Sequence, residues 1–355
     1  MGLALRLALK AKGDTSPNPL VGALVVKNGR IIGKGHHEKA GLAHAEIIAL
    51  EEAGQKAKGA ILYVTLEPCV HFGRTPPCTE RILTSGVKKV VVGMIDPNPL
   101  NNGRGIRILK EHKIKTQVGF LEGELRKINA AFVKYITKRL PFVTVKVAQS
   151  LDGKIATEQG DSKWITSDIS RAYAHRIRRR YDAIMVGVNT VLRDNPKLDA
   201  WFSKKQPAKI VIDSQLSSSA DSNIFSANSK VIIVTLPSKP GQETENRKML
   251  GEKAKILEVK EKVGQINLRD ALKKLAQEGI TNILVEGGGT LIGSLFDEGL
   301  VDKVLFFISP KIIGGKDAIS SVMGKGVSRI ESAIRLKDVA SRHLGEDLLI
   351  EGYVK

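Results

Sequence analysis

What most constrains this chain is a regular alternation of short β-branched apolar runs with segments of helical period. The alternation occurs in two sets. In the first, a helix is expected over 3–12, a strand over 20–27, an Asn28-Gly29 turn and a return strand over 30–35. A helix over 43–56, a strand over 61–66, a helix after Cys78, a strand over 89–94 and helices over 104–112 and 121–138 complete it. The second set has strands at 142–148, 182–188, 209–213, 230–236, 280–285 and 303–308. Its helices fit 168–180, 267–277 and 290–298, and the polar stretch 237–262 reads as a surface excursion. Each set predicts a layered α/β domain. The sets meet at Leu140-Pro141, where the proline disfavours continued helix, giving domains over 1–140 and 141–355.

A chain of 355 residues is long for one core, which agrees with two domains. No apolar run approaches the roughly 18 residues of a membrane span. The start, Met1-Gly2-Leu3-Ala4-Leu5-Arg6, reads as an amphipathic helix rather than a secretory leader, so a cytoplasmic location is expected. The formal net charge of +19 invites a nucleic-acid partner. However, lysine is spread widely, and the densest cluster, 176–180, is four arginines around Ile177. Anionic small molecules explain that surface equally well, so neither nucleic acid nor membrane is expected as a partner. Cys69 and Cys78, the only cysteines, argue against a disulfide framework.

Their surroundings point to a metal. His44-Ala45-Glu46 opens a helix, Glu67-Pro68-Cys69 ends a strand, and Cys78 follows Pro76-Pro77. His44, Cys69 and Cys78 are zinc ligands of suitable softness, and three ligands leave one tetrahedral position open. Both cysteines can lie at helix starts, where the dipole favours thiolate. With two thiolates donating charge, zinc acidifies a water less than it does with three imidazoles. Glu46 fits the missing role of taking that proton and passing it to a ring nitrogen and a leaving amine. Two residues beyond His44, it is not on the same helical face, but in a first turn both can approach a ligand at the helix end. A structural zinc site is the bland alternative, and the ordered His-x-Glu, Pro-Cys and second Cys argue against it.

The His-x-Glu and Pro-Cys elements resemble the signature of zinc nucleobase deaminases. Here eight residues, not two, separate the cysteines. That insert, Val70-His71-Phe72-Gly73-Arg74-Thr75-Pro76-Pro77, is similar to a block of the riboflavin-pathway deaminases. So are Thr15-Ser16-Pro17-Asn18-Pro19-Leu20-Val21-Gly22, and Asp96-Pro97-Asn98-Pro99 with Gly103-Arg104-Gly105. The resemblance implies a cytidine-deaminase-like three-layer domain. It implies Asn18 and His71, with Thr75 less well supported, as contacts to the base or phosphate.

From Phe142 the chain resembles the reductase half of the same bifunctional family, whose fold is dihydrofolate-reductase-like. The matching segments include Lys146-Val147-Ala148-Gln149-Ser150-Leu151-Asp152-Gly153-Lys154, Trp164-Ile165-Thr166-Ser167 and Gly187-Val188-Asn189-Thr190-Val191. Others are Asp194-Asn195-Pro196, Val211-Ile212-Asp213-Ser214 and Val285-Glu286-Gly287-Gly288-Gly289-Thr290-Leu291. The last reads physically as a buried strand, a glycine turn and a helix capped by Thr290, where backbone N–H groups can meet a phosphate. The resemblance implies that Ala148, Trp164, Thr190, Asp194, Ser214, Gly288, Gly289, Thr290, Leu291, Ile292, Gly293 and Ser294 lie along NADPH. It implies that Ser162, Arg178, Leu198 and Glu286 face the sugar-phosphate substrate, with Arg178 suited to a phosphate fork. One position departs. Three residues after Leu198 the family commonly has an arginine, and this chain has Trp201. Lys204 or Lys205 substitutes, phosphate binding is weaker, or the correspondence slips there.

The resemblance implies zinc-dependent deamination of a pyrimidine ribosyl phosphate followed by NADPH-dependent reduction of its ribosyl chain, and a homo-oligomer, dimer or tetramer, is expected. A nucleic-acid adenosine deaminase shares the metal motif, but the long insert and the second domain argue against it. A scaffold without activity is opposed by the intact metal set in the first domain and left open by Trp201 in the second.

Overall fold

The computed structural model describes residues 1–72, 76–201, 203, 205–226, 229–238 and 244–355. The chain divides into two compact units, Met1–Leu140 and Pro141–Lys355. The first unit carries β1 (Gly22–Lys27), β2 (Arg30–His36), β3 (Ile61–Leu66), β4 (Lys89–Met94) and β5 (Lys115–Val118). Its helices are α1 (Gly2–Ala8), α2 (Ala45–Ala53), α3 (Cys78–Thr84), α4 (Arg104–Glu111), α5 (Glu122–Ile128) and α6 (Ala130–Lys138). The sheet order is β2-β1-β3-β4-β5, with β1 antiparallel to both neighbours and β3, β4 and β5 parallel. The central strands are apolar on both faces, with Leu62, Val64, Val90 and Val92 fully buried.

Glycines set how closely the helices lie on this sheet. A Cβ at Gly22 would stand 2.1 Å from Ala4 O of α1, and one at Gly93 would stand 2.2 Å from Leu125 Cδ1 of α5. On the opposite face, a Cβ at Gly33 would stand 2.1 Å from Ala49 O, and one at Gly35 would stand 2.3 Å from Ala45 O. Thus α1 and α5 cover one face and α2 the other, giving three layers. The glycines of β2 seat the N-terminal turn of α2 directly on the strand, and that turn carries His44 and Glu46.

The second unit begins with β6 (Phe142–Ser150), β7 (Lys154–Ala156), α7 (Asp168–Arg178), β8 (Ala183–Gly187) and α8 (Val188–Asp194). Next come β9 (Ala208–Ile212), β10 (Val231–Thr235), α9 (Glu245–Lys253), β11 (Lys255–Glu258), β12 (Glu261–Lys262) and β13 (Gln265–Ile266). The unit closes with α10 (Leu268–Gln277), β14 (Asn282–Val285), α11 (Gly289–Asp297), β15 (Lys303–Ser309), β16 (Ile319–Ser320), β17 (Leu336–Leu344) and β18 (Asp347–Val354). Nine strands form one sheet in the order β11-β10-β9-β8-β14-β6-β15-β18-β17. Its first seven strands are parallel and the C-terminal hairpin is antiparallel. The carboxyl ends of the adjacent strands β8, β14 and β6 lie at one end of the sheet, where ligands bind in open α/β folds.

Several elements differ from the sequence reading. The helix expected over 121–138 breaks at Asn129, whose side chain accepts from Leu20 N at 2.7 Å and donates to Leu20 O at 3.1 Å. The stretch 237–262 was expected as a surface excursion, but it contains α9 and the outer strand β11. The hairpin over 336–354 and the four-residue edge strand β5 were not expected at all. β17 is exposed along most of its length, so it lacks the alternation that marks a half-buried strand.

The contact between β2 and α2 makes a testable demand. Gly35→Ala should destabilise the first unit by about 2–3 kcal/mol in urea titration, because the new methyl overlaps the Ala45 carbonyl. Gly123→Ala in α5, where a Cβ would meet nothing within 4 Å, should instead stabilise by about 0.5–1 kcal/mol.

Candidate functional site

In the first unit the four residues of the metal motif arrive from three elements. His44 is the N-cap of α2, with extended backbone, and Glu46 lies in that helix's first turn. Cys69 lies three residues past the end of β3, and Cys78 is the first residue of α3. His44 Nδ1 is 3.1 Å from Cys78 Sγ and 3.6 Å from Cys69 Sγ, and the Cys78 N–H donates to Cys69 Sγ at 3.3 Å. One ligand atom from each of the three residues lies within 4.8 Å of the others. Zinc bonds of about 2.0–2.3 Å in a tetrahedron need ligand separations of roughly 3.3–3.8 Å, so this donor set fits the ion.

The electrostatics suit that use. The hydrogen bond with Cys78 draws the Cys69 thiol down to about 4 against its burial, helped by His44. The same bond, with burial, pushes the Cys78 thiol up. Glu46 is almost fully buried, and burial followed by the Cys69 charge raises its carboxyl to about 7.

Glu67, Asn101 and His37, given no role in the sequence reading, hold this arrangement together with residues that it named. The Glu67 carboxylate accepts four backbone N–H groups, from Asp96 at 3.1 Å, Gly103 at 2.9 Å, Gly105 at 2.9 Å and Ile106 at 3.2 Å. It thereby ties the strand end before Cys69 to the start of α4. A Cβ at Gly105 would stand 2.3 Å from Pro68 O, so only glycine permits that approach. Asn101, fully buried, donates to Asp96 Oδ2 at 3.1 Å and accepts from Val70 N at 3.1 Å. His37 packs edge-on against the His44 ring, with centroids 5.2 Å apart. Asn18 Nδ2 donates to His37 Nε2 at 3.0 Å, so His37 Nδ1 donates to Ala43 O at 3.1 Å. Burial lowers the His37 pKa, consistent with that neutral tautomer. Asn18 is therefore joined to the metal cluster through His37. His71 follows Cys69 on the same strap, and its Nδ1 is buried with no hydrogen-bond partner among the described residues. Thr75 and Lys204 lie outside the described residues.

In the second unit Glu286 directly follows β14 and takes both arms of Arg178, from Nε at 2.6 Å and Nη2 at 2.9 Å. Lys146 Nζ is 3.8 Å from the same carboxylate. Burial pushes the Glu286 pKa up, but Arg178 and Lys146 outweigh it and leave the group at about 2. Arg178 Nη1 donates to Asp199 O at 2.9 Å, so its fork is filled by the protein's own acceptors. Trp201 stacks on His175, with ring centroids 3.9 Å apart and planes 10° from parallel.

Thr190 faces the glycine turn, since a Cβ at Gly287 would stand 2.8 Å from its Oγ1. Ala148, half-buried on β6, pairs with Phe307. Ser162 Oγ is 3.5 Å from Asp194 Oδ1 at the end of α8. Trp164 is 63% exposed, with the Arg171 guanidinium 4.3 Å over its ring and Lys311 donating to its carbonyl at 2.9 Å. Ser214 is exposed beyond β9, and its carbonyl accepts from Thr235 at 3.2 Å. Leu198 lies in the apolar core with Ile177 and Val211.

Within α11 the expected cofactor residues divide. Gly288 is the N-cap, at φ +75°. Gly289 and Gly293 face the segment 320–324 of this chain, because a Cβ there would stand 2.3 Å from Ser320 O and 1.5 Å from Met323 O. Leu291 and Ile292 are buried, Thr290 is exposed, and Ser294 Oγ donates to Thr290 O at 2.9 Å.

Comparison with known proteins covers both units. The family model for the cytidine and deoxycytidylate deaminase zinc-binding region matches residues 1–94, and that for the RibD C-terminal domain matches residues 141–350. The riboflavin biosynthesis protein RibD of Aquifex aeolicus (strain VF5) is 46% identical over 352 residues, which cover 99% of this chain and 96% of that protein. The solved structure of Acinetobacter baumannii RibD shares 33% identity at a TM-score of 0.89, covering 100% of this chain and 97% of that one. A diaminohydroxyphosphoribosylaminopyrimidine deaminase/5-amino-6-(5-phosphoribosylamino)uracil reductase from Thermotoga maritima shares 36% identity at a TM-score of 0.86, with the same coverage.

Two substitutions test the clamps. Glu67→Gln turns an amide N–H₂ toward backbone donors and should lower stability by about 2–3 kcal/mol, with weaker zinc retention against a chelator. Arg178→Met leaves Glu286 buried beside Lys146 alone and should lower stability by about 3 kcal/mol. Because the folded Glu286 pKa lies below its usual 4.5, its contribution is present above that value and lost as pH falls toward 2. In the variant this acid-side slope should shrink, as read by denaturation at several pH values.

Proposed function

The chain belongs to the RibD family, the bifunctional deaminase–reductases of riboflavin biosynthesis, and from that premise we propose how its own residues divide the two reactions. Residues 1–140 form the deaminase, and residues 141–355 form the reductase. The deaminase removes the 2-amino group of 2,5-diamino-6-ribosylamino-4(3H)-pyrimidinone 5′-phosphate. The reductase then converts the ribosyl chain to ribityl. The observation that carries this reading is the convergence of His44, Cys69 and Cys78 beside the buried Glu46.

His44, Cys69 and Cys78 would hold zinc, and the chemistry it would supply when bound is acidification of a water. Glu46 would pass one proton of that water to the ring nitrogen and, as the added hydroxyl becomes a carbonyl, the second proton to the departing amine. Burial raises its carboxyl above the ordinary value, which suits a group that must both take and give a proton. Asn18, oriented by His37, and His71, whose buried Nδ1 has no hydrogen-bond partner among the described residues, are proposed to contact the base or phosphate.

In the second unit NADPH supplies the hydride, and the protein's task is positioning. Ala148, Trp164, Thr190, Asp194, Ser214 and the turn from Gly288 to Ser294 are proposed to line the cofactor. Thr190 in the first turn of α8 and Gly288 at the N-cap of α11, just beyond the adjacent strands β8 and β14, are best placed for its phosphates. Ser162, Arg178, Leu198 and Glu286 are proposed to line the sugar-phosphate site. Here Arg178 keeps Glu286 ionised, and Leu198 contributes through its backbone.

Among the described residues no helix is long and apolar enough to cross a membrane, and a cytoplasmic location is proposed. A homo-oligomer is proposed as well. It would form on the edge strand β17, where Val339 is exposed and Ile330 and Ile334 are exposed just upstream.

Purified protein should contain about one zinc per chain by elemental analysis, release ammonia from the pyrimidine phosphate, and then oxidise NADPH. Glu46→Gln should abolish ammonia release with zinc retained. Surviving deamination would remove Glu46 from the proton path. Light scattering should report a dimer or tetramer that Ile330→Glu weakens, and a monomeric parent would refute the β17 interface.

A further inference from the structure

Lys209 on β9 is fully buried, and neither proposed reaction uses it. Its Nζ is 3.1 Å from Asp199 Oδ1 and donates to Ile224 O at 3.3 Å. Burial lowers its pKa, and Asp199 opposes that shift. A buried cation is kept only where it has a partner, and here the carboxylate partner belongs to a loop rather than to the sheet.

Asp199 is also the point where that loop meets the Glu286 cluster. Its main-chain oxygen accepts from Arg178 Nη1 at 2.9 Å and lies 3.1 Å from His175 Nδ1. Leu198 before it is buried at φ +56°, a left-handed conformation that a leucine adopts only when its surroundings hold it there. Ala200 after it is clasped by the Gln206 amide, which accepts from its N–H at 2.8 Å and donates to its carbonyl at 3.0 Å. Trp201 then stacks on His175. The segment 198–201 is therefore held from one side by Arg178 and from the other by Lys209, with Asp199 in both contacts.

We infer that Lys209 is a positioning residue of the reductase, which through Asp199 sets the segment 198–201 for binding of the sugar-phosphate substrate. The inference rests on the reading of the second unit as the reductase. Lys209 touches neither substrate nor cofactor. Loss of the ion pair frees the segment without disturbing the cofactor turn on α11, so substrate KM carries the effect.

Asp199→Asn on the partly exposed loop and Lys209→Met in the core test it, in the full-length zinc-loaded protein. Each should raise the KM for the pyrimidine ribosyl phosphate in NADPH oxidation by about tenfold. The kcat and the KM for NADPH should stay within about threefold, and ammonia release should be unchanged. Lys209→Arg should restore the parent KM. The double variant should match the worse single one, since both remove one interaction. Multiplying effects, a KM within about twofold of the parent, or equal losses in kcat and both KM values would overturn the inference. If Lys209→Met fails to fold, Asp199→Asn decides alone. A parent protein that oxidises no NADPH would instead refute the reductase reading itself.

Discussion

Each unit is organised around a carboxylate placed immediately after a central strand. Glu67 follows β3 and Glu286 follows β14. In open α/β sheets this is where several chain segments converge, and a buried carboxylate there must gather hydrogen-bond donors. The two units solve this differently. Glu67 is satisfied by four backbone N–H groups, so it fixes the course of the chain around Cys69 and α4. Glu286 is satisfied by Arg178 and Lys146, so it fixes side chains and the charge they present. The first solution suits a site whose ligands must meet one ion at set distances. The second holds an arginine and a lysine at set positions beside the strand end.

Close packing of helices on glycine-bearing strands is the second constraint. In the first unit Gly33 and Gly35 bring α2 down until its first turn touches β2. His44 and Glu46 sit at that turn, so their separation from Cys69 and Cys78 is set by backbone contact rather than by side-chain length. This resolves the apparent difficulty that His44 and Glu46 are only two residues apart. At a helix start the capping residue has extended backbone, and the helical-face argument does not apply to it.

How much could be read from the sequence follows from where each signal resides. The central strands were legible because both faces are apolar over five or six residues, as in ILYVTL of β3. The metal ligands were legible because few residue types bind zinc. β5 and β17 were not, since edge strands carry polar and exposed side chains that resemble a loop. The break at Asn129 was hidden because the cause lies 109 residues away at Leu20. In sequence Glu67 reads only as a neighbour of Cys69, because its four donors come from a segment about 30 to 40 residues downstream. His37 was missed for a related reason. A histidine that supports a ligand through ring packing has no spacing that distinguishes it from a surface histidine.

The glycine turn after β14 shows the same limit at its sharpest. A run of glycines before a helix reads as a phosphate cradle, because glycine admits close approach. Close approach to what is not encoded locally. In this protein Gly289 and Gly293 admit the backbone of 320–324, which the Met323 N–H ties to the Gly289 carbonyl at 3.1 Å. That segment is in turn held by Lys154, through Ala318 O and Ser320 Oγ, and by the Gly153 carbonyl. Only Gly287 and Gly288, facing Thr190, remain turned toward the neighbouring strand end. The turn therefore presents two glycines and the Thr190 hydroxyl, while Gly289 and Gly293 keep the helix and the segment 320–324 together.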